Sequence, residues 1–382
     1  MNFELTQEQA ELQRMVRDFA REEIAPAQQQ MDIDHAFPRE LWQKWSDLGM
    51  AGIMIPQEYG GSGIDSLSYV IAMEEIATVS QTFALIWQVH VLVSNMYAQL
   101  GSRAQKDRWL PIFARGEKLA AFGLTEPNAG SDAGGIRTKA VRDSNQGWTI
   151  NGNKIFISNA GTEISDGLVV MAQTGERPNG RKAISCFIVE RDRPGFTLGQ
   201  SFNKMAWHGM DNRELVFDNC QVPTENLLGQ EGAGLRQALG GLNLGRIVFG
   251  ILGAALIRAC LEESLTYAKG RTQFGEPISN FQLIQAKLAT MATHAEAVRR
   301  FTHYVAWLHA NGQPCNKEAA MVKVMGTSLA TQAGLEAFQI HGGYGFMHEY
   351  KVNRFHRESK ILEIGEGTNE ILQLLIAREL GC

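Results

Sequence analysis

Along the first hundred residues, apolar side chains recur every three or four positions, the spacing of one buried helix face. Thr6 followed by Gln9 predicts a capping-box start, with Leu12, Met15, Val16, Phe19 and Ile24 aligned behind it. A second helix is expected from Pro38, turning Leu41, Trp42, Trp45 and Leu48 inward and stopping at Gly49. The glycine-rich run from Pro56 to Gly63 reads as a loop, and helical periodicity resumes at Ser66. Near Leu119 the pattern changes to short, β-rich segments broken by turn residues. Trp148-Thr149-Ile150, Asn151-Gly152 and Lys154 to Ile157 read as the strand, turn and strand of a hairpin. Further strands are expected at 168–172, 184–189 and 215–217. From Gly232 the helical period returns in longer elements. Leu283, Ile284, Leu288, Met291, Ala295, Val298, Phe301, Val305 and Leu308 form a stripe of about seven turns. Two more helices are expected at 317–339 and 368–380. The predicted order is α, then β, then α, an α+β multidomain chain divided at 1–118, 119–229 and 230–382. Its middle part suits a small antiparallel barrel or sandwich, and its last part a helix bundle.

One stretch tests this reading. Residues 76–102 contain no Asp, Glu, Lys or Arg, and about 20 apolar residues suffice to cross a bilayer. Gln81, Gln88, His90, Asn95 and Gln99 interrupt it, and each would be costly in hydrocarbon. A helix buried in protein, with no membrane span, is the expectation. The N-terminus carries no signal-peptide pattern, and the five cysteines contain no CxxC pair. A zinc ribbon is excluded and a reducing, cytoplasmic location is expected. With a formal charge of −5 and no basic run, nucleic acid is not an expected partner. The nine histidines lack ligand spacing, so no metal site is expected.

Candidate chemistry gathers in a few glycine-rich segments. Phe122 to Asp132 (FGLTEPNAGSD) ends a strand in small residues, with hydroxyls at Thr125 and Ser131, and such an edge can bond a flat heteroaromatic ring and a phosphate. Phe156 and Ser158 offer a ring face and a donor at the end of the hairpin strand. An ordinary sheet edge with an Asx turn at Asn128 fits these residues equally well. Neither this run nor Ile340 to Gly345 is a Walker loop or a GxGxxG after a strand. Thr368 reads as the N-cap of the last helix, with Glu370 in its first turn. Glu366, between Gly365 and Gly367, is not placed to serve that helix. In an apolar cleft its pKa would rise and it could act as a base, although a surface glutamate in a glycine-rich loop is common.

Five segments taken together resemble the acyl-CoA dehydrogenases: FGLTEPNAGSD (122–132), NGNKIFISNA (151–160), GRTQFGEPISNFQ (270–282), QIHGGYGF (339–346) and EIGEGTNEI (363–371). The resemblance covers essentially the whole chain. It implies an N-terminal helical domain, a middle β domain, a C-terminal four-helix bundle, one FAD per subunit, and a homotetramer or homodimer. By the same resemblance, Phe122, Leu124 and Thr125 would contact the flavin ring, and Phe156 and Ser158 would cover it. Ser131 would meet a flavin phosphate and lie near the CoA. Arg271, Phe274 and Gln282, with Gln339, Gly342 and Gly343, would hold the pyrophosphate and adenine, partly across a subunit interface, and Thr368 and Glu370 would complete that site. Asn243 and Arg246 would touch CoA, Gly367 would lie against the substrate, and Glu366 would be the catalytic base. The thioester oxygen would take hydrogen bonds from the base's own N–H and a ribityl hydroxyl, and the electrons would pass to an electron-transfer flavoprotein.

Two departures qualify these expectations. Some branched-chain and long-chain relatives carry the base immediately before an Arg on an earlier helix; here Gly245 precedes Arg246, which leaves Glu366 and favours a short- or medium-chain type. Lys204 to Arg213 (KMAWHGMDNR) replaces a common Arg-Gly-Ser, so substrate contacts there are in question. The helix at 76–102, with bulky Phe83, Trp87 and Val91 and no cation, is expected to line the acyl pocket and to disfavour dicarboxylic acyl groups. An acyl-CoA oxidase, or a dehydrogenase of carrier-protein-bound acyl groups, would share this sequence pattern. A non-catalytic helical scaffold is the alternative of a different class.

Overall fold

A computed structural model describes residues 4–143 and 147–382. The N-terminal helices are α1 (Gln7–Phe19), α2 (Ala25–Asp34), α3 (Arg39–Asp47), α4 (Ser66–Val79), α5 (Gln81–Leu100) and α6 (Arg103–Ala114). The strands β1 (Phe122–Gly123), β2 (Lys139–Arg142), β3 (Trp148–Ser158), β4 (Leu168–Glu176), β5 (Lys182–Val189), β6 (Phe196–Ser201), β7 (Asn212–Val222) and β8 (Leu227–Leu228) follow. Then come α7 (Gly234–Gly270), the short pair β9 (Thr272–Gln273) and β10 (Glu276–Pro277), α8 (Gln282–Ala310), α9 (Asn316–His341), α10 (Lys351–Leu362) and α11 (Asn369–Glu379).

Local rules govern the first helices. Thr6 and Gln9 form the reciprocal capping box, and Leu41, Trp42 and Trp45 are buried. Leu48, expected inward, is 46% exposed because α3 ends one residue before it. The uncharged stretch is two helices rather than one: the chain breaks at Ser80, whose Oγ accepts from the Phe83 N–H at 3.0 Å. Its polar side chains find protein partners, as a buried helix requires. Gln81 donates to the Leu252 carbonyl (3.1 Å), Gln88 accepts from the Tyr69 hydroxyl (2.7 Å), and His90 Nε2 meets the Phe113 carbonyl (3.1 Å). Among the described residues, the helix with the length and mean hydropathy of a membrane span is instead α7, and 89% of its apolar window is buried within the protein.

The strands build one sheet in the order β6-β7-β3-β2-β4-β5-β8, with β1 on β4. Most pairings are antiparallel, but β1 and β2 each run parallel to β4. The expected hairpin at Asn151-Gly152 is absent: β3 runs unbroken from Trp148 to Ser158 along β7, with a register shift between Ile150 and Gly152. Gly152 has φ +143°, and a Cβ there would lie 2.7 Å from the Thr138 Cα, so the dipeptide marks a bulge where two backbones cross closely. Both faces of the sheet are covered. Val169 and Met171 pack with Trp109 and Phe113 of α6, while the alternate residues Leu168, Val170 and Ala172 join Trp148, Leu215 and Phe217 on the opposite face.

In the C-terminal bundle, α7 and α9 pack most intimately. A Cβ on Gly253 would stand 2.4 Å from the Gly326 carbonyl oxygen, so small residues on both helices set the separation. Leu288, Met291, Val298, Val305 and Leu308 of α8 are buried as its stripe predicts, but Leu283 at the helix start is 80% exposed. A buried charge network locks the N-terminal helices to this bundle. Glu74 meets Arg258 (3.2 Å) and Arg299 (2.9 Å), and Glu75 meets Arg17 (3.0 Å) and Arg258 (3.1 Å).

Candidate active site

The two expected ring-binding segments come together through β3. The Ile155 N–H donates to the Thr125 carbonyl (2.9 Å). The Lys154 ammonium, fully buried, donates to the Leu124 carbonyl (3.1 Å) and to Glu126 Oε1 (2.7 Å). Glu126 also accepts from the N–H groups of Arg137 (2.6 Å) and Thr138 (2.9 Å). Burial works against the charge of Glu126, but Lys154 and these donors outweigh it and hold its carboxyl below the usual range. Burial lowers Lys154 to about 8, with Glu126 opposing, so the pair is charged at neutral pH. Sequence reading missed this clamp, although a lysine in an otherwise apolar strand end was a signal. Beyond it, Phe156 sits in the left-handed region (φ +61°) with its ring 60% exposed, and Ser158 Oγ accepts from the Asn212 amide (3.3 Å). Phe122, in β1, is partly buried, and Ser131 is exposed just before a short 3-10 turn at Ala133–Gly135.

A second group assembles at the end of the bundle. Arg271, Tyr267, Gln273, Ile278, Gly342 and Gly343 share a groove of about 570 Å³, and the Arg271 guanidinium lies over the Tyr344 ring at 5.5 Å. Phe274, Gln282 and Gln339 are exposed and are not among its lining residues; Phe274 is 96% exposed at φ +53°.

The third group surrounds Glu366. Thr368 caps α11, its Oγ1 accepting from the Ile371 N–H, and Glu370 follows in the first turn. Glu366 itself has φ +55° and is followed by Gly367 at +91°, a costly conformation for a non-glycine residue. Its carboxylate occupies the space that Gly245 leaves empty: a Cβ on Gly245 would stand 2.7 Å from Glu366 Oε2. Beside it, Arg246 is 7% exposed and bonds Asn243 (3.2 Å) and Asn316 (3.3 Å). Burial raises Glu366 to about 7, with Arg246 and Lys323 opposing. Tyr69, buried against Trp87, also feels this carboxylate's charge. A carboxyl with this pKa must lose its proton before it can accept another. If acyl-CoA is the reductant, the rate of flavin reduction is therefore expected to fall as pH drops through about 7, which a stopped-flow pH series would check.

One sequence expectation needs correction. Phe83 and Trp87 do not line an open pocket. Phe83 packs on Trp42 and Trp45, and Trp87 stands edge-on to Trp45 while donating to the Met50 carbonyl at 2.7 Å. The Phe249 ring packs on the loop before Glu366, 2.9 Å from where a Cβ on Gly365 would be. The 204–213 segment joins parts of the chain far apart in sequence. His208 Nδ1 meets Asp32 (2.9 Å) and stacks on His35, while Arg357 bonds both Asp32 (2.7 Å) and the Met205 carbonyl (2.9 Å). Among the described residues, no group of three His, Cys, Asp or Glu side chains is placed to hold a metal.

Comparison with known proteins decides the family. Three family models cover most of the chain: acyl-CoA dehydrogenase, N-terminal domain (residues 6–117), middle domain (121–220) and C-terminal domain (232–381). An acyl-CoA dehydrogenase of Bacillus subtilis (strain 168) is 45% identical over 98% of both chains. The chain belongs to the acyl-CoA dehydrogenase family. Among solved structures, butyryl-CoA dehydrogenase from Megasphaera elsdenii matches with a TM-score of 0.95 and 38% identity over 100% of both chains. A chain solved in work on the electron transferring flavoprotein of Acidaminococcus fermentans and flavin-based electron bifurcation matches at 0.95 and 38%, over 100% of this chain and 99% of that one. As an acyl-CoA dehydrogenase it is an oxidoreductase, and its cofactor is FAD. The residues present fit that group. The groove beside Arg271 offers a cation next to Gly342 and Gly343, where an added Cβ would meet nothing within 4 Å, and Phe156 presents an open ring face at the end of β3.

Proposed function

We propose that this acyl-CoA dehydrogenase oxidises a saturated, short- or medium-chain acyl-CoA thioester to the trans-2-enoyl-CoA, with Glu366 taking the α-proton. One observation carries the reading: a carboxylate lodged against Gly245, on a left-handed backbone, with burial raising it to about 7. That value lets it be ionised at neutral pH yet basic enough to accept a proton from carbon. Arg246 and Lys323 favour the ionised form, and Phe249 keeps the adjoining space apolar. The Glu366 N–H makes no backbone hydrogen bond among the described residues, so it is free to donate to a thioester oxygen as charge develops there. Asn243 and Arg246 are the groups we assign to the CoA side, with Ser131 near it and Gly367 against the thioester.

FAD, when bound, supplies the two-electron acceptor for the β-hydride, chemistry that no side chain provides. Phe122, Leu124, Thr125, Phe156 and Ser158 would hold its ring, and Arg271, Gly342 and Gly343 its pyrophosphate. Phe274, Gln282 and Gln339 would act with that group on the pyrophosphate and adenine, partly across a subunit interface, and Thr368 and Glu370 would complete the cofactor site. Exposed Phe274, Leu283, Phe346 and Leu374 support such an assembly, a homotetramer or homodimer. An electron-transfer flavoprotein is the acceptor we assign, in keeping with the Acidaminococcus match, and the reading carries with it a cytoplasmic location.

The purified protein is expected to be yellow, with about one flavin per chain, and to reduce an artificial acceptor with straight-chain acyl-CoAs in a graded panel. A colourless protein that does not take up FAD, or flavin that no acyl-CoA bleaches, would overturn the reading.

A further inference from the structure

The loop that carries Glu366 is held from below by a side chain that no sequence motif marks. Lys323 lies two turns into α9 and is fully buried. Its ammonium donates to the Glu363 carbonyl (3.0 Å), the Gly367 carbonyl (2.8 Å) and Asn369 Oδ1 (2.9 Å). These acceptors bracket Glu366 on both sides, three residues before it and one and three after. Asn369 is itself fixed on α9, donating to Ser328 Oγ (3.0 Å) and lying 3.1 Å from the Thr327 hydroxyl, whose proton is shared with the Lys323 carbonyl (2.8 Å). All three ammonium donors are therefore used, on a helix whose position is set by the close Gly253–Gly326 crossing with α7, the helix that also carries Gly245 and Arg246.

We infer that Lys323 is a positioning residue for the base: it holds the 363–369 loop so that Glu366 keeps its left-handed backbone and its carboxylate stays against Gly245. Two features support this beyond simple packing. First, φ +55° at Glu366 is an unfavoured state that persists only where surrounding bonds over-determine it, and the Lys323 bonds close over it together with the backbone bond from the Asn369 N–H to the Glu363 carbonyl (2.9 Å). Second, burying an ammonium is costly unless every donor is satisfied, and a cation also acts on the carboxylate electrostatically. The charged groups around Lys323 are Glu366, Glu363, Glu370 and Arg246. Burial lowers Lys323 to about 8, with the three glutamates opposing, so it is cationic at neutral pH and favours the ionised base.

The inference rests on Glu366 being the base, and the test separates the two. In FAD-loaded Lys323→Met, the maximal rate of flavin reduction by acyl-CoA is expected to fall about 10- to 100-fold, the scale of a small misplacement of a reacting group. KM should change less than the rate, because Asn243, Arg246 and Ser131 are untouched and only the Gly367 carbonyl loses a bond, and the acid limb of the rate should move to higher pH as the cation is lost. A loaded Lys323→Met enzyme with the wild-type rate and wild-type acid limb would overturn the inference. If that variant does not accumulate, Thr327→Val decides: it removes one hydroxyl from Asn369 at nearly constant volume. A several-fold loss of rate with KM unchanged supports the clamp, and an unchanged rate refutes it. Glu366→Gln is run alongside. A dead Glu366→Gln enzyme with an unaffected Lys323→Met enzyme refutes only the clamp, whereas a fully active Glu366→Gln enzyme refutes the base assignment beneath it.

Discussion

Glu366→Gln is expected to retain FAD and to lose about 10²- to 10⁴-fold in the rate at which acyl-CoA bleaches the flavin, the usual worth of a positioned acid or base. The amide matches the carboxylate in size and can occupy the same space beside Gly245, so loss of packing would not explain the defect. Anaerobic stopped-flow absorbance measures it directly, and bleaching at the wild-type rate would remove Glu366 from the chemistry. The same variant has a thermodynamic signature of opposite sign. In the folded chain the carboxyl keeps its proton up to about 7, while in the unfolded chain it is released near 4.5. Between those values the folded state binds more protons, so this group's contribution to stability falls as pH rises through the window. Glutamine escapes that loss. The variant should therefore melt above wild type at pH 8, with the difference closing towards pH 4, and a variant that melts lower at pH 8 would argue that the carboxylate is well solvated.

Glu366 stood out as a candidate because a glutamate between two glycines, ahead of an N-cap, serves no helix, and the motif around it supplied the role we propose for it. What sequence could not supply is the shape around it. Gly245 is 121 positions away along the chain, and only the packing of α7 against the loop shows that its missing side chain makes room for the carboxylate. Lys323 was invisible for a related reason. Its partners are mostly backbone carbonyls, which every sequence possesses, so nothing pairs with it in the text of the chain. Asn151-Gly152 misled for the opposite reason. The dipeptide reports a backbone that needs unusual φ, and a bulge beneath Thr138 satisfies that need as well as a hairpin turn does. Periodicity likewise found the helix faces but not which of them meets a neighbour. Phe83 and Trp87 were read as pocket walls and are spent on the tryptophan cluster of α3, and Leu283, assigned to the α8 core, stands in the open. The five motifs brought out the residues we assign to the cofactor, while the groups that hold those motifs to one another lay between or behind them.

The buried pair Lys154–Glu126 is the clearest such group, and breaking it carries the largest stability effect we expect. Lys154→Met keeps the aliphatic stem but removes the ammonium, leaving Glu126 charged, 6% exposed and supported by neutral donors of Arg137 and Thr138 with no cation beside it. Removing one partner of a buried ion pair costs about 3–5 kcal/mol, because the remaining charge has lost its compensation. The damage should not be confined to stability. The same ammonium holds the Leu124 carbonyl, so its loss frees the 122–126 segment from β3 at the point where both were assigned to the flavin ring. Denaturant unfolding at fixed flavin concentration should show the destabilisation, and the purified variant should carry less FAD than wild type. Double replacement with Glu126→Gln separates the two effects. It should recover much of the stability, since no unpaired buried charge remains, but not the flavin content, since the Leu124 tether is still missing. If the double variant regained both, Lys154 would be a partner for Glu126 alone and not the link between the two ring-binding segments.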